Sequence, residues 1–347
     1  METSPAPTRD RPGPVRKALL VIGRQSLRLL MLLPGLWCLG AIHFDGPLPG
    51  GGNIVLTILW VALAVFLMLR ARTRRDRGLS YAAVLSLVIL PWLCKRPSND
   101  RDWAPEYART ANATVDGDAV TFTNYRNFDY ALDGTVTERW ETRTVHLSKL
   151  RGIDLFLNYW GSPLIAHPIF SFDFGDEGHI AFSIETRREK GETFTTLGGL
   201  YKLYELTYLV GDERDFVRVR TNIREDEDAY LFKLDATPEE ARKRFMEYVG
   251  QIQVMVDEPR FYNVITANCT TAIRSQMEME KALVPDYRLI LNGKLDELLE
   301  DLGFFAVKDL PLAELKRRGH INERAMEAQD DPDFSKRVRE GVPGFGP

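Results

Sequence analysis

Residues 169–189, IFSFDFGDEGHIAFSIETRRE, decide how the larger part of this chain is read. Phe170, Phe172 and Phe174 alternate, a turn follows at Gly175–Gly178, and Ile180, Phe182 and Ile184 alternate again. A period of two on either side of a glycine turn is a β-hairpin with one apolar face. His179, Ala181, Ser183 and Glu185 then share the other face of the second strand, so the His179 ring points away from the main apolar face.

The neighbouring sequence repeats the pattern. ATVDGDAVTFTNYRNFDYA (113–131) reads as two strands around a turn, TERWETRTVHLSKLRGIDLFLNYW (137–160) as two more, and YKLYELTYLVGDERDFVRVRTNIR (201–224) as a further pair around Gly211 and Asp212. After a short strand at 230–234 the period changes. TPEEARKRFMEYVGQIQVM opens with Thr237, Pro238 and Glu240, a capping box with proline at the first helical position. A second helix is expected near Cys269, a third over NGKLDELLEDLG (292–303), and short charged helices in the tail. The fold class is α+β, a mainly antiparallel sheet with appended helices.

The first hundred residues differ in kind. Three apolar runs, 27–44, 53–70 and 79–94, follow a proline- and arginine-rich start expected to be disordered over 1–17. The runs are read as three N-terminal transmembrane helices, an anchor over 18–95. Trp37, Trp60 and Trp92 are placed to anchor them. The second connection, RARTRRDRG, carries five arginines, whereas the first, DGPLPGGG, carries no basic residue. Positive charge marks the cytoplasmic side, so the N-terminus is expected in the cytoplasm and everything after a polar linker, 96–113, outside it. The domain then occupies 114–347. With 45 basic and 49 acidic residues the net charge is −4, which gives no reason to expect a nucleic-acid partner.

Three cysteines, at 38, 94 and 269, form no CxxC pair and no disulfide framework. Cys269, in NVITANCTTAIRSQ, is the one that falls deep in the exported domain. Its sulfur sits in the first turn of the expected helix, where unpaired N–H groups favour a thiolate. A thiolate with an imidazole to take its proton is the minimum for thiol catalysis. His179 is the favoured base, with His146 and His167 as rivals. Asn268, Ser183 and His167 are each able to orient the imidazole, and the backbone around Cys269, Thr270 and Thr271 offers an oxyanion hole. Glu185, Arg187, Arg188, Arg220, Arg224 and Trp160 are candidate substrate contacts, the arginines as a wall for an anionic or peptide-like group. No histidine or cysteine pair has close ligand spacing, so neither metal nor cofactor is expected.

HIAFSIETRREKGE, YELTYLVGDERD, VRTNIRE, NCTT and HINERA with DDPDFSKRVREG, taken in order over about residues 97–345, resemble the DUF4105 family, the Lnb N-terminal periplasmic domain. The resemblance implies acyl transfer of the lipoprotein intramolecular transacylase kind, with His179 and Cys269 as base and nucleophile. It also implies a histidine-before-cysteine order similar to permuted papain-like (NlpC/P60-like) folds. Here the apolar runs precede the domain, whereas in those transacylases they follow it. The expectation is a multi-pass protein of a bacterial inner membrane, its domain periplasmic. It would act as a thiol acyltransferase or hydrolase on a lipoprotein or phospholipid. A thiol amidase or peptidase on cell-wall peptide and a non-catalytic envelope-binding module are the alternatives.

Overall fold

A computed structural model describes residues 14–49, 51–268, 270, 286–289 and 291–346, with the backbone alone over most of 14–30. The chain divides into two compact units, 1–96 and 97–347.

The first unit is three helices, α1 (Pro14–Asp45), α2 (Gly52–Arg70) and α3 (Arg74–Cys94). Among the described residues only α2 and α3 are long and apolar enough to cross a membrane, so the expectation of three such spans is corrected to two. The described apolar part of α1, Met31–Asp45, covers roughly 22 Å at 1.5 Å per residue, short of a ~30 Å hydrocarbon core. Residues 14–17, expected in a disordered tail, already open α1. The Trp92 indole donates to Asp45 (2.6 Å) and Trp60 to the Val84 carbonyl (3.0 Å), so both rings brace helix against helix.

The second unit is built on a nine-stranded sheet. Its strands are β1 (Asn112–Asp116), β2 (Ala119–Arg126), β5 (Trp140–His146), β6 (Gly152–Trp160), β7 (Ser162–Asp173), β8 (His179–Arg187), β9 (Glu205–Asp212), β10 (Glu227–Lys233) and β11 (Arg260–Phe261). β3 (Asp129–Tyr130) and β4 (Val136–Thr137) form a small ladder of their own. The main order is β1-β2-β9-β8-β7-β6-β10, with β5 on β2 and β11 on β9. Every pairing is antiparallel except where Arg126 of β2 meets Gly211 of β9. A Cβ at Gly211 would lie 2.4 Å from the Arg126 carbonyl oxygen, so only glycine permits this junction.

Both faces of the sheet are covered. α5 (Pro238–Asp257), with the expected Thr237–Glu240 capping box, lays Phe245 against Phe172, Phe174 and Phe182 on the face the hairpin predicts. The opposite face carries α4 (Glu213–Arg218), which continues into a π-turn at Val219–Ile223. The expected second strand of the 201–224 pair is therefore helical. Asp212 caps it by accepting from the Arg214 N–H, and buried ion pairs then hold its arginines inward. α6 (Leu295–Asp301) packs beside α7 (Leu312–Gly319), and α8 (Asn322–Glu327) with α9 (Phe334–Arg337) completes the second layer. Ion pairs stitch this layer down: Arg339 reaches both Asp154 and Glu213 at 2.7 Å.

The stretch read as a linker, 96–113, belongs to the domain from residue 97 on. Trp103 and Tyr107 are buried, because Arg187 stacks over the Trp103 ring at 4.3 Å and donates to the Tyr107 carbonyl at 3.0 Å.

Candidate functional site

The β7–β8 hairpin pairs Asp173 with His179 at its turn and Ile169 with Ser183 further up. Continuing that register sets His167 beside Glu185 at the open end. Six residues of strand, roughly 20 Å at ~3.3 Å each, separate Glu185 from His179. The two histidines of the hairpin therefore occupy opposite ends of the sheet.

At the open end the polar groups converge. His167 Nε2 lies 2.6 Å from the Ser183 hydroxyl and 3.1 Å from Glu185 Oε1, and Ser183 donates to the same carboxylate at 2.7 Å. With Ser183 spending its proton on Glu185, this pattern assigns the imidazole proton to Nε2 and makes Nδ1 the basic nitrogen. Arg220, itself buried, donates to Glu185 (3.1 Å) and to Glu227 (3.2 Å), while Arg224 donates to the other oxygen of Glu227. Burial alone would raise the Glu185 carboxyl. The adjoining charges of His167 and Arg220 outweigh it and hold the group well below the usual carboxylate range.

A cavity of about 850 Å³ opens over these residues. His167, Glu185, Arg188, Arg220, Arg224 and Trp160 line it, and so does Asn268. Asn268 arrives on a loop built backward from β11. Tyr262 N–H donates to the Tyr204 carbonyl and Val264 N–H to Gly199, which fixes the loop's base. Asn263 then accepts from the Ile265 and Thr266 N–H groups, and Asn268 donates its amide to the Val264 carbonyl at 2.6 Å. Across the mouth, Asn292 accepts from the Ala166 N–H next to His167. Gly293 lies so near Pro163 and Leu164 that a Cβ would sit 2.4 Å from their backbone. A smaller cavity of about 360 Å³ shares Tyr107, Glu185, Arg220 and Arg224 with the first.

Residues 136–296 match the family model of the Lnb N-terminal periplasmic domain. The matched stretch is shorter than the resemblance over 97–345 and holds His167, His179, Glu185, Asn268 and Cys269 alike. The match runs from β4 to the start of α6 and covers less than half of the chain. Neither a curated protein nor a solved structure matches the chain.

Within the second unit the expected site residues divide. Cys269 and Thr271 lie outside the described residues, on either side of a buried Thr270. Ser183, Glu185, Arg220 and Arg224 join His167 in one hydrogen-bonded set, and Arg188 lines the cavity while donating to Glu106 and the Tyr107 hydroxyl. Arg187 does not line it. That guanidinium is buried and bonded to Tyr107, Asn99 and Thr110. His179 is placed with Asp173, 4.0 Å away, near Glu213. Exposed His146 pairs with Glu177 at 2.7 Å. The sequence reading left out Asn292 and Tyr262 of the lining.

Proposed function

We propose that this protein is a membrane-anchored thiol acyltransferase of the periplasm, in which Cys269 is the nucleophile and His167 its base. One observation carries the reading: Asn268, the residue before Cys269, lines the same cavity as His167 and Glu185. Consecutive Cα atoms are about 3.8 Å apart, which supports pairing Cys269 with the groups at this end of the sheet and not with His179.

The chemistry follows from the hydrogen bonds. Nδ1 of His167 takes the thiol proton, and the Glu185 carboxylate stabilises the imidazolium that forms, as the third member of a catalytic triad does. The thiolate attacks an ester carbonyl, and backbone N–H groups at Cys269–Thr271 receive the oxyanion. Proton return from His167 releases the alcohol and leaves an acyl thioester. An amine acceptor, deprotonated by the same imidazole, then takes the acyl group. The histidine-before-cysteine order agrees with a permuted papain-like arrangement, which belongs to the same proposal.

Membrane placement is supported by α2 and α3, and orientation by the arginines of 70–77. With the arginine-rich connection on the cytoplasmic side, α3 returns the chain to the periplasm, where the domain follows. Lipoprotein or phospholipid esters are then the substrates within reach.

The test is intact-protein mass spectrometry of the full chain incubated with a diacylated lipopeptide. The expected result is one acyl mass added, labile to hydroxylamine, and absent from Cys269→Ala. Hydrolysis of cell-wall peptide with no acyl adduct would replace this reading with a thiol amidase.

A further inference from the structure

Much of the mouth of the large cavity is apolar, with Thr196 and Arg224 among its exposed polar members. Leu164, Ile165, Phe194, Leu200, Ile265 and Leu291 all line it, and each is between 38% and 52% exposed. They come from four separate segments of chain: the start of β7, the connection from β8 to β9, the loop leading to Cys269, and the turn before α6. Leu197, at the tip of the second segment, is 63% exposed. Side chains of this size and exposure together present on the order of 400 Å², the scale at which an apolar patch marks an interaction surface and not scattered surface leucines.

We propose that this rim docks into the surface of the lipid bilayer, so that the cavity opens toward acyl chains. The chain itself argues for lipid as the occupant. α3 ends at Cys94, and Asn99 is already fixed in the domain by bonds to the Met255 and Val256 carbonyls. Five peptide steps of at most about 3.6 Å keep that anchor within roughly 18 Å of the end of α3. A domain whose first fixed residue is tethered at that distance stays beside the bilayer, where exposed leucine, isoleucine and phenylalanine side chains sink at low cost among headgroups. The polar set around Glu185 lies behind the rim, so a docked rim would keep bulk water from the thioester while admitting a lipid-borne ester. This inference rests on the membrane-anchored part of the proposed function and not on its thiol chemistry.

Depth measurement tests it. A nitroxide is attached at Leu197→Cys in the full chain with Cys38, Cys94 and Cys269 replaced by alanine. The protein is reconstituted in phosphatidylethanolamine–phosphatidylglycerol vesicles. Leu132→Cys, equally exposed in the turn between β3 and β4, is the aqueous control. The expected result is a rise in the ratio of oxygen to nickel-chelate collisions at Leu197 over Leu132, repeated at Ile265→Cys on the facing loop. Equal, chelate-dominated collisions at all three positions would overturn the proposal. So would dipolar broadening at Leu197 that disappears on dilution with unlabelled protein, since the rim would then be covered by a second copy. Because Cys269 is absent, the depth reading is independent of acyl transfer. A lipid-immersed Leu197 with no acyl adduct on the wild-type chain leaves the docking and removes the chemistry, and the converse pair of results does the reverse.

Discussion

At the scale of single residues, Glu185 is the organising group of the candidate site. It accepts from Ser183, His167 and Arg220 at once, and that concentration of donors is why it stays ionised in a buried place. A carboxylate held well below its ordinary range is charged throughout the range from pH 5 to 9. Its own titration therefore contributes nothing to a pH profile there. Glu185→Gln should lower the acyl-transfer rate by about 10- to 100-fold at pH 8, and by less at pH 5 where loss of the carboxylate leaves more of the imidazole neutral, since a hydrogen bond to a charged group is worth about 1.5–3 kcal/mol. A deficit confined to the acid side would show that another group governs the imidazole. The sequence holds the signal that finds His167. A hairpin turning at Gly175–Gly178 pairs Asp173 with His179, and the same register sets His167 beside Glu185. Reading the faces of the second strand alone hides this, because His179 and Glu185 share a face and lie far apart along it.

At the scale of elements, the strands and α5 were legible because their periods are undisturbed: Phe170, Phe172, Ile180 and Phe182 on one side, Phe245, Tyr248 and Ile252 against them. α4 was not. Residues 216–220, FVRVR, alternate like a strand, and only distant partners make them helical: Asp215 binds Arg126, Arg218 binds Asp129, and Arg220 binds Glu185. No local window contains those pairs. The same holds for the C-terminal Arg339, whose guanidinium bridges Asp154 of β6 and Glu213 of α4. Burial would raise the Glu213 carboxyl, but Arg339 and His179 bring it down to about 2. A carboxyl lowered on folding stabilises fully above its unfolded value near ~4.3 and loses that share as pH falls toward the folded value. Between pH 4.5 and 2, denaturation of the detergent-solubilised chain should therefore move to lower temperature, and less steeply in Glu213→Gln. Arg339→Ala leaves buried Glu213 without a cation, while Asp154 keeps Lys233, and should cost about 3–5 kcal/mol at pH 7. An unchanged midpoint would mean the tail is not clamped this way.

At the scale of the whole molecule, the chain combines a helical unit with membrane-crossing character and a sheet domain, similar over 136–296 to the Lnb N-terminal periplasmic domain, whose cavity is polar in its depth and apolar along much of its mouth. Composition announced the two units plainly. The apolar rim escaped notice because its members are scattered over four segments and become one surface only when the sheet brings them together. The central claim is that Cys269 works with His167. The direct measurement is the rate of Cys269 alkylation by iodoacetamide from pH 5 to 9, with Cys38 and Cys94 replaced by alanine. The wild-type, His167→Ala and His179→Ala chains are compared. The account predicts an apparent thiol pKa well below the ordinary value of about 8.5, raised toward it by His167→Ala and left in place by His179→Ala. A shift caused by His179→Ala alone, or a thiol that reacts only after denaturation, would contradict it.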